Sequence, residues 1–249
     1  MYIAQNNQLP AHVPNSLKPK FIKFCYFMMA FIVLSCGDKK KETSSEEKGA
    51  ATSNDATSAT ATVSKTILCF GDSITAGYGL DDTDDAFPGL IQEKIDSLNL
   101  DYTVINSGLS GETSAGGRSR IDWVIKQDIA IFILELGAND GLRGLPLSET
   151  KANLQAIIDV VKTKSPKTTI ILAGMQLPPN MGQAYTSEFK QLFFDLAETN
   201  ALEFIPFILK DVGGIAALNQ SDGIHPTAEG HEIVANTVWE TLKPIIKHE

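Results

Sequence analysis

The run 66-TILCFGDSITAGYG-79 opens on five residues rich in aliphatic and aromatic side chains and then breaks at Gly71-Asp72-Ser73. An apolar run of that length ended by a glycine is the pattern of a strand covered on both faces, followed by a tight turn. Four more runs of the same kind come later: 102-YTVIN-106, 129-IAIFILEL-136, 168-TTIILAGM-175 and 203-EFIPFI-208. Between them lie segments with helical periodicity at about 87–98, 113–126, 148–163 and 186–200, and a last one at about 227–246. Pro88 suits a first helical turn, Ser148 and Thr227 suit N-caps, and Pro166 falls just past a helix end.

Five strands separated by helices predict a parallel, doubly wound sheet, because parallel neighbours need crossover connections and these are right-handed. The expected fold is therefore α/β, a three-layer α/β/α arrangement with a five-stranded, flavodoxin-like sheet. Ligands of such sheets bind beyond the carboxyl ends of the strands. The loops expected there are 71-GDSITAGYG-79, 107-SGLSGETSAGG-117 and 137-GANDGLRG-144. All three are rich in glycine and small polar residues, which let a ligand approach the main chain closely.

Upstream of this domain the composition changes. Residues 37–64 hold no aromatic residue and one large aliphatic, Val63, too little apolar surface to offset the entropy of ordering. They read as a Ser/Thr/Ala-rich tether, and residues 65–249 as the folded domain. Lys18, Lys20 and Lys23 precede the apolar stretch 24-FCYFMMAFIVLS-35, the length of a signal-peptide core and short for a bilayer span. Residues 1–35 are therefore expected to be a targeting segment with an N-terminal extension. The segment closes on 33-VLSCG-37, which resembles the lipobox of bacterial lipoproteins. That resemblance makes Cys36 the lipid anchor and places the chain in the bacterial cell envelope, facing the periplasm. Gly37 after the cysteine points to the outer membrane. An ordinary cleaved leader or an uncleaved anchor is the alternative.

Cys25 would depart with the leader and Cys69 sits in an apolar run, so no disulfide framework is expected. The formal charge is −9, and the portion from Lys65 onward carries 14 basic and 25 acidic residues. Such a surface repels nucleic acid. Neutral or cationic small molecules are the expected partners, with the chain acting as a monomer.

A serine that does chemistry needs a general base, and the base needs an acceptor to orient it. His12 lies in the leader and His248 next to the last residue, leaving His225 and His231. His225 stands in 221-SDGIHPT-227, three residues after Asp222, with Gly223 to bend the chain so that a carboxylate can reach one ring nitrogen. His231 lies within the last helical segment, where packing or solvent contact is expected. Asn139 offers a side-chain N–H and Gly111 a main-chain N–H to a developing oxyanion, donors worth roughly 2.7–4 kcal/mol each. Taken singly, each of these is equally a turn residue; Asp72 is expected to cap or brace its turn.

Together, Gly71-Asp72-Ser73-Ile74-Thr75, the glycine of 109-LSGETS-114, 137-GAND-140 and 222-DGIH-225 resemble the four blocks of the SGNH (GDSL) hydrolases, in order and across the whole domain. Within that superfamily, 135-ELGANDGLRG-144 and 177-LPPNMG-182 are similar to the acyl-CoA thioesterase I, lysophospholipase L1 and arylesterase group. The resemblance implies Ser73 as nucleophile, His225 as general base and Asp222 as its orienter. The main-chain N–H groups of Ser73 and Gly111 and the Asn139 side chain would form the oxyanion hole. It implies hydrolysis of acyl esters or thioesters, lysophospholipids included, with no metal or cofactor. Leu142, Leu145, Leu177 and Met181 are the residues it places along an acyl groove. Two other functions remain open at this point, a glycan O-acetylesterase and an envelope binding lipoprotein without catalysis.

Overall fold

A computed structural model of the chain describes residues 65–126 and 128–246. The leader, the tether and Cys36 lie outside the described residues.

Five strands form one parallel sheet in the order β2-β1-β3-β4-β5. They are β1 Lys65–Gly71, β2 Tyr102–Gly108, β3 Ile131–Glu135, β4 Thr169–Ala173 and β5 Glu203–Ile205. β1, β3 and β4 are buried almost throughout, as their unbroken apolar runs require. β2 departs from that expectation: it is an edge strand whose centre is partly exposed. The third, fourth and fifth strands are also shorter than their apolar runs. Leu136, Gly174, Met175 and Pro206 continue into the loops of the carboxyl edge.

The helices that cover the sheet are α2 Phe87–Ser97, α3 Ser114–Val124, α5 Leu147–Lys164, α6 Gln183–Asn200 and α7 Ala228–Leu242. The short α1 Ser73–Ala76 and α4 Ala138–Leu142 lie at the sheet edge. The Thr227 hydroxyl caps α7 by accepting from the Gly230 N–H, and Pro88 lies in the first turn of α2. Ser148 is not an N-cap. The cap of α5 is Pro146, whose carbonyl accepts from Glu149 and Thr150, so Ser148 falls inside the first turn. The core is continuous, from Ile67, Phe70, Phe132 and Leu134 on the strands to Ile91, Ile157, Phe189, Phe193 and Val238 on the helices. None of the helices among the described residues is long and apolar enough to cross a membrane.

The chain leaves β1 for β2 on one side and then crosses to β3 on the other. The order of connection thus reverses between β1 and β3, where a crevice opens above the carboxyl ends. Gly71 pairs with Glu135 across these two strands, so the loops leaving β1 and β3 enter the same crevice.

Candidate active site

Ser73 is the first residue of α1 and lies one turn past β1. The turn is held from below. Asp72 donates its main-chain N–H to Glu135 Oε2 at 3.2 Å, and the Thr75 hydroxyl donates to the same oxygen at 2.7 Å. These bonds explain Gly71, since a Cβ there would sit 2.0 Å from Thr75 Oγ1 and 2.5 Å from Glu135 Oε2. The Asp72 side chain caps α1, accepting from the Ile74 N–H at 3.1 Å. Its other oxygen accepts from Asn139 Nδ2 at 3.1 Å.

His225 and Asp222 arrive on the loop before α7. Asn219 and Pro226 form an antiparallel bridge, and Gln220 donates its amide to the carbonyls of Tyr78 and Pro226. The loop is thereby fastened to the chain following Ser73. Between the two clamps, Gly223 takes φ +75°, and Asp222 Oδ1 accepts from the N–H groups of Ile224 and His225 at 3.0 and 3.1 Å. The other oxygen, Oδ2, lies 2.6 Å from His225 Nδ1, and His225 Nε2 lies 2.9 Å from Ser73 Oγ. A ring nitrogen facing a carboxylate carries the proton, which leaves Nε2 as acceptor of the Ser73 hydroxyl. Burial works against the Asp222 charge, but the bonds from the His225 ring and the two N–H groups outweigh it and bring its pKa down to about 2.

Asn139 stands in the first turn of α4, just past β3. Gly111 lies in the loop after β2 at φ +78°, and its absent side chain would meet nothing closer than Arg143 at 3.9 Å. Backbone angle rather than space requires glycine here. Among the described residues the main-chain N–H groups of Ser73 and Gly111 have no matched acceptor. Ser73, Gly111, Asn139 and His225 all line one cavity of about 660 Å³.

The wall of that cavity is largely apolar, with Leu142, Met175, Leu177, Pro178, Pro179 and Phe207 prominent. Of the four residues expected along an acyl groove, Leu142 and Leu177 line it. Leu145 and Met181 do not. Leu145 lies between α4 and α5, where its carbonyl accepts from Tyr185, and Met181 ends the 3₁₀ turn that begins at Pro179.

Three buried carboxyls hold this site in place: Asp72, whose role in bracing its turn was expected, and Glu135 and Glu112, which pattern reading did not single out. Glu135 is fully buried, and its Oε1 has no hydrogen-bond partner among the described residues. Burial, and then the neighbouring Asp72 carboxyl, push its pKa well above the ordinary range. Asp72 is raised to about 6 by burial, opposed by its bonds from Ile74 and Asn139. Two adjacent carboxyls in a dry site do not both ionise readily. Both oxygens of Asp72 accept from donors, whereas Glu135 Oε1 has no partner, so the charge belongs on Asp72 and the proton on Glu135. The third group is Glu112, which Arg120 grips through Nε at 2.7 and 2.9 Å and through Nη2 at 2.6 Å. The same guanidinium donates to the Ser107 carbonyl and stacks 3.9 Å from the Phe70 ring. This clamp fastens the Gly111 loop to the end of β1. The available signal for Glu135 was an acid at the end of an otherwise apolar run; none marked Arg120.

A serine bonded to an oriented histidine at a parallel-sheet switch point, with free N–H donors beside it, is the equipment of acyl transfer. The model of the GDSL-like lipase/acylhydrolase family matches residues 69–233. Esterase TesA of Pseudomonas aeruginosa is 37% identical over 183 residues, 73% of this chain and 90% of that protein. Thioesterase 1/protease 1/lysophospholipase L1 of Escherichia coli is 32% identical over 190 residues, covering 76% and 88% of the two chains. The crystal structure of the psychrotrophic esterase EstA from Pseudoalteromonas sp., inhibited by monoethylphosphonate, superposes with a TM-score of 0.68 at 31% identity, over 72% of this chain and 97% of that one. The chain belongs to the GDSL-like lipase/acylhydrolase family.

Proposed function

We propose that this chain hydrolyses carboxylic esters of acyl chains, lysophospholipids and thioesters among them, through a covalent acyl-enzyme on Ser73. The carrying observation is the unbroken line Asp222–His225–Ser73, at 2.6 and 2.9 Å. It ends in a cavity that also holds Gly111 and Asn139. Ser73 Oγ attacks the carbonyl carbon while His225 Nε2 takes its proton, and Asp222 stabilises the imidazolium that forms. The oxyanion is received by the N–H groups of Ser73, Gly111 and Asn139. His225 then gives the proton to the departing alkoxide or thiolate. Water, deprotonated by the same nitrogen, releases the acid. Inhibition of the related Pseudoalteromonas esterase by monoethylphosphonate supports the nucleophile, since such phosphorus agents imitate the tetrahedral intermediate.

The apolar cavity wall speaks for an acyl chain rather than an acetyl group on a glycan. The acidic surface favours neutral or cationic alcohols over polyanionic leaving groups. A series of p-nitrophenyl esters from acetate to octanoate, hydrolysed by the wild type beside Ser73→Ala, tests both points. Activity rising to butyrate or beyond and falling at least about 10³-fold in the variant is expected. Activity confined to acetate would replace the acyl-chain reading with the O-acetylesterase. Undiminished activity in Ser73→Ala would remove the nucleophile.

Cys36, by the pattern 33-VLSCG-37, is the proposed lipid attachment site, with the domain facing the periplasm from the envelope membrane. Metabolic labelling with palmitate, present in wild type and absent in Cys36→Ala, is the expected result.

A further inference from the structure

We propose that the mouth of the acyl cavity is a docking surface for a zwitterionic lipid interface, so that substrate enters directly from a bilayer or micelle. The inference rests on the ester-hydrolase reading given above. Eight large hydrophobic side chains are exposed among the described residues; three of them line this mouth, and two more directly adjoin lining residues in the chain. Tyr78 (52%), Leu142 (38%) and Ile224 (40%) line the cavity themselves while remaining exposed. Leu109 (53%) directly precedes the lining residues Ser110 and Gly111, and Ile215 (45%) directly follows Gly213 and Gly214.

These five come from five separate segments: the loops after β1 and β2, α4, the loop before Ala216, and the Asp222–His225 loop. No single helix or strand periodicity puts them there. Exposed apolar side chains gathered round one opening and continuous with an apolar cavity are what a surface needs to meet lipid. The remaining three are scattered. Trp123 (75%) closes the carboxyl end of α3 on the opposite edge of the sheet, Leu98 follows α2, and Ile105 lies on the edge strand.

Charge narrows the lipid. With 25 acidic against 14 basic residues from Lys65 onward, the domain is repelled by anionic head groups, so the apolar contact operates on zwitterionic ones such as phosphocholine. Geometry permits the approach. β1, about 23 Å long, begins at Lys65 on the edge away from the mouth. The roughly 28 residues between Cys36 and Lys65 reach up to about 95 Å when extended. A chain held at Cys36 can therefore turn its mouth to the membrane that holds it.

The test uses the full chain and two substrates, a monomeric p-nitrophenyl ester in solution and a long-chain ester carried in phosphatidylcholine vesicles. Leu109 and Ile215 line no part of the cavity, so L109S/I215S is expected to match the wild type on the soluble ester and to lose about tenfold on the vesicle-borne one. W123S should keep both rates. Flotation of Ser73→Ala with phosphatidylcholine vesicles, with and without L109S/I215S, reads docking without chemistry and should show the same loss. Retention of the vesicle rate and of flotation by L109S/I215S, or an equal loss in W123S, overturns the docking surface. Failure of the wild type on the soluble ester would instead overturn the hydrolase reading and leave the flotation result to decide this one.

Discussion

Asn139 is held at both ends of its amide. Nδ2 gives one hydrogen to Asp72, and Oδ1 receives Arg143 Nη2 at 3.4 Å. The second Nδ2 hydrogen is thereby aimed at the cavity. Asn139→Ala should lower kcat by about 10²- to 10³-fold with little change in KM, because the lost bond matters chiefly in the transition state. Arg143 also donates to the Gly111 carbonyl at 2.9 Å, so it fixes two of the three donors from outside the cavity. Arg143→Met should lower kcat more than it alters KM, with partial recovery in Arg143→Lys, in steady-state kinetics on a soluble ester. At this scale the sequence displayed the residues proposed to react and concealed their supports. Ser73, Gly111, Asn139, Asp222 and His225 sit in short blocks of unusual composition. Arg143 and Arg120 look like any surface cation until the fold brings their acceptors near.

The two connections that carry the oxyanion donors are braced by separate polar networks. Asp140, buried at the start of α4, accepts from the Ser114 N–H at 2.7 Å and from Thr150 at 3.2 Å, tying α4 to α3 and α5. Glu112 and Arg120 do the same for the loop after β2. The Glu112 side chain is almost wholly buried, so Arg120→Met leaves an unpaired interior charge. A loss of about 3 kcal/mol in unfolding free energy is expected, read from urea transitions, together with a fall in kcat as the Gly111 loop loosens. Strand and helix types were readable from periodicity, and their ends were less so. The cap of α5 is a proline acting through its carbonyl alone, while the serine two residues on is the commoner N-cap residue. Past the upper ends of β4 and β5 the apolar runs continue into loops, where Met175 and Phe207 help to wall the cavity.

For the whole molecule, acid response is a balance of opposed groups. His231 is buried and accepts the Phe87 N–H on Nδ1 at 3.3 Å; burial, then the nearby His225, lower its pKa to about 4. As pH falls from about 6.5 to 4, the unfolded chain takes up a proton that the folded one refuses, so stability drops, at most by about 1.4 kcal/mol per pH unit. Asp72, raised to about 6, acts oppositely. Between pH 4 and 6 the folded state keeps a proton that the unfolded chain has lost, so stability drops as pH rises, and Glu135 adds to that slope. Below pH 4 the depressed Asp222 contributes stability that is lost as pH falls towards 2. With two groups against one, urea midpoints of the wild type should therefore fall as pH rises from about 4.5 to 6. His231→Gln should steepen that decline, and Asp72→Asn should nearly flatten it.

The order in which the site is assembled is set by where its parts stand in the chain. Ser73 and its base are 152 residues apart, and the sheet, through β5, is complete in sequence before the Asp222–His225 loop begins. During synthesis the amino-terminal part emerges first, so the nucleophile, its glycine turn and its buried Glu135 can be in place while the proton acceptor is still unmade. The loop is then pinned to the Tyr78 carbonyl by Gln220, and α7 comes directly after it. A nascent or truncated chain ending before Gln220 therefore lacks both the base that Ser73 needs and the core face of α7. Hydrolytic power thus arrives only once the segment carrying Asp222 and His225 has been made and pinned against the chain that follows Ser73.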